Sequence, residues 1–418
     1  MALEEEDDFL LDLLTYVCPV SGKKRTAGNF DVPCSHVVEM AKAQVESNPH
    51  ASPALKEFAR IRPEDAETAC HEVLTKYGFS VPIPVETLNI GPGQLKACPF
   101  VRPSAWATYL LNKGILPRQL VGVADRAQME ETLREHWKRY QVLFPNHPIF
   151  RLALEGTVQL QRCVPILSHS DEGRSTKHLP LFVMSFHGAL GRGTQLYVQK
   201  QKHLAPLHRR QFGLNFLGQS WGTQFLCFAI LREMVDDNPD ALKTLIQHFA
   251  RDFQQLAEEG IVGDDGPLIL ACCEGCDIPQ ERGTYFMNTA ISFMYRSGYW
   301  IRASCGHKLA MWLLYFLQSY GTCAKICLRE GKCRFSLIPK THSLHHVIWE
   351  LQAQAEKNVW IENPLAFSVQ MQEDYIGRPS RLSRRVSARQ MIRHVVDRSL
   401  VCSMLALEDT KTDMRGLV

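Results

Sequence analysis

Three acidic positions, far apart in the chain, have the residue types needed for metal-dependent chemistry. The first is Asp171, in the acidic turn that closes the strand-like segment 163–174, and the second is Asp277, after a buried strand-like run. The third is one of two neighbours, Glu373 or Asp374. Carboxylates gathered from distant points can hold divalent metal ions, and such ions assist phosphodiester chemistry. The pattern therefore suggests a three-acid metal site.

Each acid also has a plain structural explanation. Asp171 fits a polar turn between two strands, and Asp277 fits a loop or helix cap before Pro279. Glu373 and Asp374 fit the solvated face of a helix. Both interpretations stay open here, although one fold that gathers the acids would explain all of them together.

The elements around these positions indicate a mostly helical protein that contains a sheet. Short apolar or β-branched runs, separated by Gly-rich and acidic turns, predict three sequential antiparallel strands at 164–167, 179–186 and 195–198. Two helices and a further buried strand are predicted after them, at 223–235, 239–259 and 267–272. The chain before residue 158 and after residue 283 has mostly helical patterns.

The predicted fold class is α+β. Three strands, helices, a further strand and a helix-rich tail follow one another as in the RNase H-like fold, whose acids lie on the first strand, after the fourth strand and on a later helix. The predicted domains are an N-terminal helical region (1–157), an RNase H-like domain (158–400) with a helical insertion at about 284–340, and a C-terminal tail (401–418).

Five blocks of the sequence carry a resemblance to a known family. Blocks 337–342, 363–367 and 372–378 resemble the C-terminal block of transposases from CACTA-type and related cut-and-paste elements. Those enzymes have a Pro-Lys-x-His-like stretch and then an acidic residue inside an aromatic-rich helix. Segments 168–174 and 277–279 resemble the first and second acidic blocks of the same enzymes. The whole chain is also similar to a multicopy group of protist proteins that look element-derived.

The resemblance implies a DDE-type transposase of a mobile element, either active or degenerate and domesticated. Asp171, Asp277 and Glu373 would be its catalytic acids, and these three with Asp374 would bind Mg²⁺ or Mn²⁺. The implied activity is metal-dependent cleavage and strand transfer on DNA. The implied location is the nucleus.

Basic side chains near the third acid are the predicted DNA contacts, namely Lys340, His342, Arg378, Arg381, Arg384 and Arg385. A phosphate backbone bound to the arginines would lie beside the proposed site. A basic tail without a fixed partner is the alternative interpretation. His342 and His346 have the i, i+4 spacing of some metal ligands, but without a matching carboxylate a structural or phosphate-contacting role is favoured.

Composition and charge restrict the nucleic-acid, membrane and secretion roles that the chain could have. A formal net charge of +3 over 418 residues excludes a whole-protein attraction to nucleic acid, so DNA would bind only local basic segments. No run of about 18 apolar residues occurs, which argues against a membrane-spanning helix. The acidic first residues lack the positive charge of a signal peptide, so we expect an intracellular protein whose 14 cysteines are reduced.

A non-enzymatic helical scaffold or interaction protein is the alternative function. The acidic, leucine-rich residues 4–14 could form an amphipathic helix that docks a protein partner, although a solvated helix end is the simpler explanation. A homo-oligomer is a further expected assembly. Cys34 and His36 could join Cys18 in a zinc site, although buried reduced thiols are the simpler interpretation.

Overall fold

Helices predominate in the fold, and a mixed sheet lies among them. The structure, a computed structural model, describes residues 33–48, 50–174, 180–203, 212–263, 266–272, 293–331, 339–367, 370–384, 386 and 390–415. Within these residues one five-stranded sheet accompanies three two-stranded pairs. The predicted α+β class is confirmed.

The elements have the following bounds. The helices are α1 (Cys34–Ser47), α2 (Pro53–Ala59), α3 (Ala66–Lys76), α4 (Pro103–Asn112), α5 (Arg126–Leu143), α6 (Pro148–Leu154), α7 (Gln195–Lys202), α8 (Ser220–Thr223), α9 (Arg232–Asp237), α10 (Pro239–Glu258), α11 (Ala303–Arg329), α12 (Pro339–Lys357), α13 (Gln370–Ser383) and α14 (Met391–Arg415). The strands are β1 (Glu86–Leu88), β2 (Cys98–Phe100), β3 (Cys163–Arg174), β4 (Pro180–Gly188), β5 (Leu190–Gly191), β6 (Gly213–Leu214), β7 (Phe225–Leu231), β8 (Ile261–Gly263), β9 (Gly266–Cys272), β10 (Trp300–Arg302) and β11 (Trp360–Glu362). Short turns of 3-10 or π helix are Pro63–Asp65, Gly93–Ala97, Pro117–Val121, Leu160–Arg162 and Pro364–Phe367.

The central sheet has the strand order β7-β4-β3-β9-β8. The first three strands of this sheet in chain order, β3, β4 and β7, are antiparallel neighbours, whereas β9 pairs with β3 in parallel. A parallel pair needs a crossover connection. Here the crossover carries α10, which begins at Pro239 and ends before Gly260, a residue with φ of +71°. The predicted helix 239–259 and strand 267–272 are confirmed.

The third strand lies later in the chain than the sequence pattern indicates. Residues 195–198 were predicted as a strand but belong to α7, because the Thr194 hydroxyl accepts a hydrogen bond from the Tyr197 N–H and caps a helix there. The segment 223–235, predicted as one helix, instead forms β7 and then α9. All seven residues of β7 are buried, and a fully buried strand lacks the alternation that distinguishes it from a helix.

Helices cover both faces of the sheet. On one face, the rings of Phe186 in β4 and Phe253 in α10 lie 5.4 Å apart. On the other face, α13 packs so closely on β3 that a Cβ atom built at Gly173 would lie 2.0 Å from the Ser380 hydroxyl oxygen. The side chains of residues 173 and 186 point to opposite faces because the β3–β4 register is continuous from Ile166 to Arg174.

One large cluster of buried apolar residues extends from Cys34 in α1 to Leu407 in α14. It joins the N-terminal helices, the sheet and the C-terminal helix. A second, smaller cluster lies in the hairpin of α11 and α12, against β10 and β11. The domain divisions at 157/158 and 400/401 and the insertion at about 284–340 stay predictions. Among the described residues, every helix is too short or too polar to span a bilayer.

Candidate functional site

Asp171 lies in β3, the central strand of the sheet, directly opposite Val183 of β4. It is exposed, and its Oδ1 accepts a 2.7 Å hydrogen bond from the N–H of Glu172. The Glu172 carboxylate faces the other way and accepts a 2.6 Å hydrogen bond from Arg232. The Asp171 carboxylate is therefore exposed to solvent, on the face of the sheet that α13 covers at Gly173.

Helix α13 runs in the same direction as β3. Near its end, Arg384 donates a 2.8 Å hydrogen bond from Nη2 to the carbonyl oxygen of Arg174, the last residue of β3. Ser380 and Ile376, one and two turns earlier, lie against Gly173. The contacts of α13 with the end of β3 therefore come from Ile376, Ser380 and Arg384. Asp171 precedes Gly173 by two residues on the same face of the sheet.

The two candidates for the third acid differ in position. The Asp374 carboxylate accepts a 3.4 Å hydrogen bond from Ser220 in α8 and a 3.2 Å hydrogen bond from Arg378, and just over half of this side chain is exposed. It therefore faces α8 rather than β3. Residue 373 belongs to the first turns of α13, three positions before Ile376.

Asp277 lies outside the described residues. The parallel ladder that leads toward it ends with Cys272 opposite Ile166. The position of Asp277 relative to Asp171 stays a prediction.

The layer between the sheet and α13 contains buried polar groups. The hydroxyl oxygens of Ser185, Tyr375 and Ser380 have no hydrogen-bond partner among the described residues. Burial raises the pKa of the Tyr375 phenol well above its ordinary value. His187 is also buried, and burial, with a smaller effect from nearby His169, lowers its pKa to about 3. This layer is thus uncharged and polar, next to the exposed carboxylate of Asp171.

The predicted DNA-contacting arginines lie on or just after α13. Arg381 and Arg384 are exposed, and Arg384 also holds the end of β3 through the Arg174 carbonyl. Arg378 is more buried and forms an ion pair with Asp374 at 3.2 Å. The exposed side chain of Arg174 adds a fourth cation beside them. Four arginines therefore lie near the end of the strand that carries Asp171.

The other predicted DNA contacts belong elsewhere or are not described. His342 is exposed on α12, which packs against α11, and its Nε2 lies 3.0 Å from the Nε2 of His346. The side chain of Lys340 and the whole of Arg385 lie outside the description. Whether these residues contact DNA stays a prediction.

A second cluster of ligand-type side chains lies on the N-terminal helices. One ligand atom each from Cys34, Glu67 and His71 falls within 4.8 Å of the others. Buried Arg398 of α14 donates to Glu67, with 2.8 Å from Nη2 to Oε2. Only Cys34 of this group was considered as a ligand from the sequence. The sequence did contain an indication of this cluster, because Glu67 and His71 have the i, i+4 spacing that places two side chains on one helix face.

Comparisons with known proteins found no family model, curated protein or solved structure that matches the chain.

Proposed function

We propose that this chain is a transposase-like protein whose RNase H-like core performs metal-dependent cleavage and strand transfer on DNA. The observation that carries the proposal is the relation of Asp171 to its neighbours. Asp171 lies on the central strand, that strand pairs in parallel with β9, and it runs beside the helix that contains Glu373.

The sheet order supports an RNase H-like core. Within the central sheet, the antiparallel strands β3, β4 and β7 are followed in the chain by a helical crossover to β9, which pairs in parallel with the other edge of β3. Because β3 and β9 are parallel, both strands end at the same end of the sheet. An acid on β3 and an acid after β9 would then meet at the same end of the sheet.

The register supports Asp277 as the second acid. Cys272 lies opposite Ile166. Asp277 follows Cys272 by five residues, and Asp171 follows Ile166 by five residues. Five residues of chain can span up to about 17 Å, so the segment after Cys272 is long enough for Asp277 to meet the Asp171 carboxylate.

Helix geometry favours Glu373 over Asp374 as the third acid. Positions 373, 376 and 380 differ by three and four residues, so they share one side of α13, and Ile376 and Ser380 lie on the side that meets β3. Asp374 lies on another side and already contacts Ser220 and Arg378. We therefore assign the metal-binding role to Glu373 and an arginine-positioning role to Asp374.

The donor set fits a hard divalent cation. Asp171, Asp277 and Glu373 would hold Mg²⁺ or Mn²⁺ through oxygen atoms, the ligands that these ions prefer. When bound, the ions supply a nucleophilic hydroxide or 3′-oxygen and stabilise the leaving oxygen. Arg381, Arg384 and Arg174 would bind the backbone phosphates and hold the scissile bond beside the acids.

Plasmid nicking tests the proposal. Wild-type protein should relax supercoiled DNA in Mg²⁺ or Mn²⁺ and not in EDTA. Because a metal site contributes several kcal/mol to such a reaction, Asp171→Asn should lower the rate by about 100-fold or more. Asp65→Asn, which removes an exposed carboxylate far from the sheet in sequence, is the matched control. Equal nicking by wild type and Asp171→Asn, or none by wild type, would reject the enzymatic proposal.

A protein-interaction module is a second candidate function, and the α11–α12 hairpin favours it. Met311, Tyr315 and Ile326 of α11 are 43%, 43% and 50% exposed, and their spacings of four and eleven residues place them on one helix face. Trp349 of α12 is 66% exposed. Sedimentation velocity would show self-association that Tyr315→Asp abolishes, whereas a monomeric wild type would reject self-association through this face.

A further inference from the structure

The cluster on the N-terminal helices has a composition that differs from the acidic site. Glu67, Cys70 and His71 all belong to α3, at relative positions i, i+3 and i+4, so they share one helix face. Cys34, the first residue of α1, faces them: the Cys70 thiol donates to the Cys34 carbonyl oxygen at 3.7 Å. The Cys34 sulfur, the His71 imidazole and the Glu67 carboxylate thus come together from two helices, and the Cys70 sulfur lies beside Cys34.

The His71 and Glu67 ligand atoms have the spacing of a pair in a tetrahedral metal site. The Nε2 of His71 lies 3.3 Å from Oε1 of Glu67. Two ligand atoms bound at about 2.0–2.1 Å to a tetrahedral zinc ion are about 3.3–3.4 Å apart. The Cys34 sulfur lies within 4.8 Å of both ligand atoms.

We propose that Cys34, Glu67, Cys70 and His71 bind a transition-metal ion of the Zn²⁺ class. Thiolate and imidazole ligands select such ions over Mg²⁺ and Mn²⁺, which prefer oxygen. The site is independent of the proposed nuclease centre. It would tie α1 to α3, and through Arg398 to the C-terminal helix α14.

Charge balance supports this assignment. Without metal, the charges of Glu67 and Arg398 offset each other in an ion pair. Binding of Zn²⁺ would release one proton from Cys34 and one from Cys70 to solvent, and the two thiolates would neutralise the metal charge. Arg398 can remain on Glu67, because each carboxylate oxygen has a second lone pair. Burial of the site therefore leaves no net charge in either state.

A cavity and a second imidazole adjoin the cluster. A cavity of about 750 Å³ reaches His71, and His394 and Asp397 of α14 also line it. The His394 ring stacks on His71 with ring centroids 6.2 Å apart. His394 is only 3% exposed, yet its Nδ1 has no hydrogen-bond partner among the described residues and lies 4.0 Å from the Asp397 carboxylate. An access path and a polar side chain next to a ligand are features that metal-binding sites share.

Cobalt spectroscopy of the full chain tests the proposal. Reduced, EDTA-treated protein is titrated with Co²⁺, which reports on thiolate ligation by a near-ultraviolet charge-transfer band and on tetrahedral geometry by intense visible bands. We expect one equivalent of Co²⁺ with both signals, and its displacement by Zn²⁺. Cys34→Ala should abolish that equivalent, and Cys70→Ala should halve the charge-transfer band. Cys98→Ala, which removes a buried cysteine of β2, should leave both signals unchanged.

Two results would overturn the proposal. One is a wild-type protein without a thiolate–cobalt band. The other is the same band in wild type, Cys34→Ala and Cys70→Ala, which would assign it to cysteines outside the cluster. If circular dichroism shows that Cys34→Ala does not fold, His71→Gln decides: a changed visible spectrum supports the site, and an unchanged one refutes it.

Discussion

His136 gives the sharpest prediction about stability. This residue of α5 is completely buried, in an aromatic cage formed with Trp137, Tyr140, Tyr299 and Trp300, whose ring centroids lie 5.2–5.7 Å away. Neither ring nitrogen has a hydrogen-bond partner among the described residues. Burial, with a smaller effect from Arg139, lowers the His136 pKa from 6.5 to about 3. The folded protein therefore keeps this imidazole neutral at pH values where the unfolded chain protonates it.

The sign and size of the pH effect follow from that shift. Because the folded pKa is depressed, the unfolded state binds the extra proton as pH falls below 6.5, and folded stability is lost progressively down to about pH 3. A pH of 5 lies about 1.5 units below the unfolded pKa, and this difference corresponds to a loss of about 2 kcal/mol of folded stability. The effect at pH 7.5 is close to zero. His136→Phe removes the titrating group and keeps an aromatic ring in the cage.

Urea denaturation at pH 7.5 and pH 5 measures this effect. The free energy of unfolding of His136→Phe relative to wild type should rise by about 2 kcal/mol between the two pH values. At pH 7.5 the variant should gain about 1 kcal/mol, because an unpaired buried polar group is gone. If the phenylalanine ring does not fit the cage, His136→Leu is measured instead. His50→Phe, a substitution at an exposed histidine, is the control. Parallel pH dependence of His136→Phe and wild type would refute the reasoning.

The remaining predictions concern packing and a buried ion pair, all measured by urea denaturation. Gly173→Ala should cost about 1–3 kcal/mol, because its Cβ would lie 2.0 Å from the Ser380 oxygen and displace α13 from β3. Gly321→Ala, whose Cβ meets nothing within 4 Å in the middle of α11, should instead stabilise by about 0.5–1 kcal/mol, and a loss there would contradict the helix assignment. Arg398→Met should cost about 3–5 kcal/mol by leaving Glu67 unpaired, with partial recovery in the Arg398→Met/Glu67→Gln double variant; a loss below about 1 kcal/mol would show that the pair contributes little.

Secondary structure was predictable where one face of an element is apolar. Helix α5 has buried residues at helical spacing, including Met129, Leu133 and Trp137, and it confirms the helical pattern predicted for the chain before residue 158. Strand β7 was predicted as a helix because burial on both faces removes the alternation. Helix α7 was predicted as a strand because its residues have high strand propensity, and the hydroxyl cap at Thr194 outweighs that preference.

The two candidate sites were predictable to different extents. The resemblance named Asp171 and Glu373, and the structure adds that their elements, β3 and α13, are packed side by side. The Glu67–Arg398 pair was not predictable, because 331 residues separate its members and a single arginine in an amphipathic helix gives no sign of burial. Only packing of α14 against α3 brings that charge to the cluster.

Binding of Mn²⁺ tests the central claim most directly. The loss of the free-ion signal in electron paramagnetic resonance counts bound Mn²⁺ without requiring any DNA or turnover. The account predicts binding by wild type and by Asp374→Asn, and weakening by about tenfold or more in Asp171→Asn, Asp277→Asn and Glu373→Gln, since each removes an oxygen ligand and more than about 1.4 kcal/mol of binding free energy. Equal Mn²⁺ binding by wild type and these three variants would contradict it.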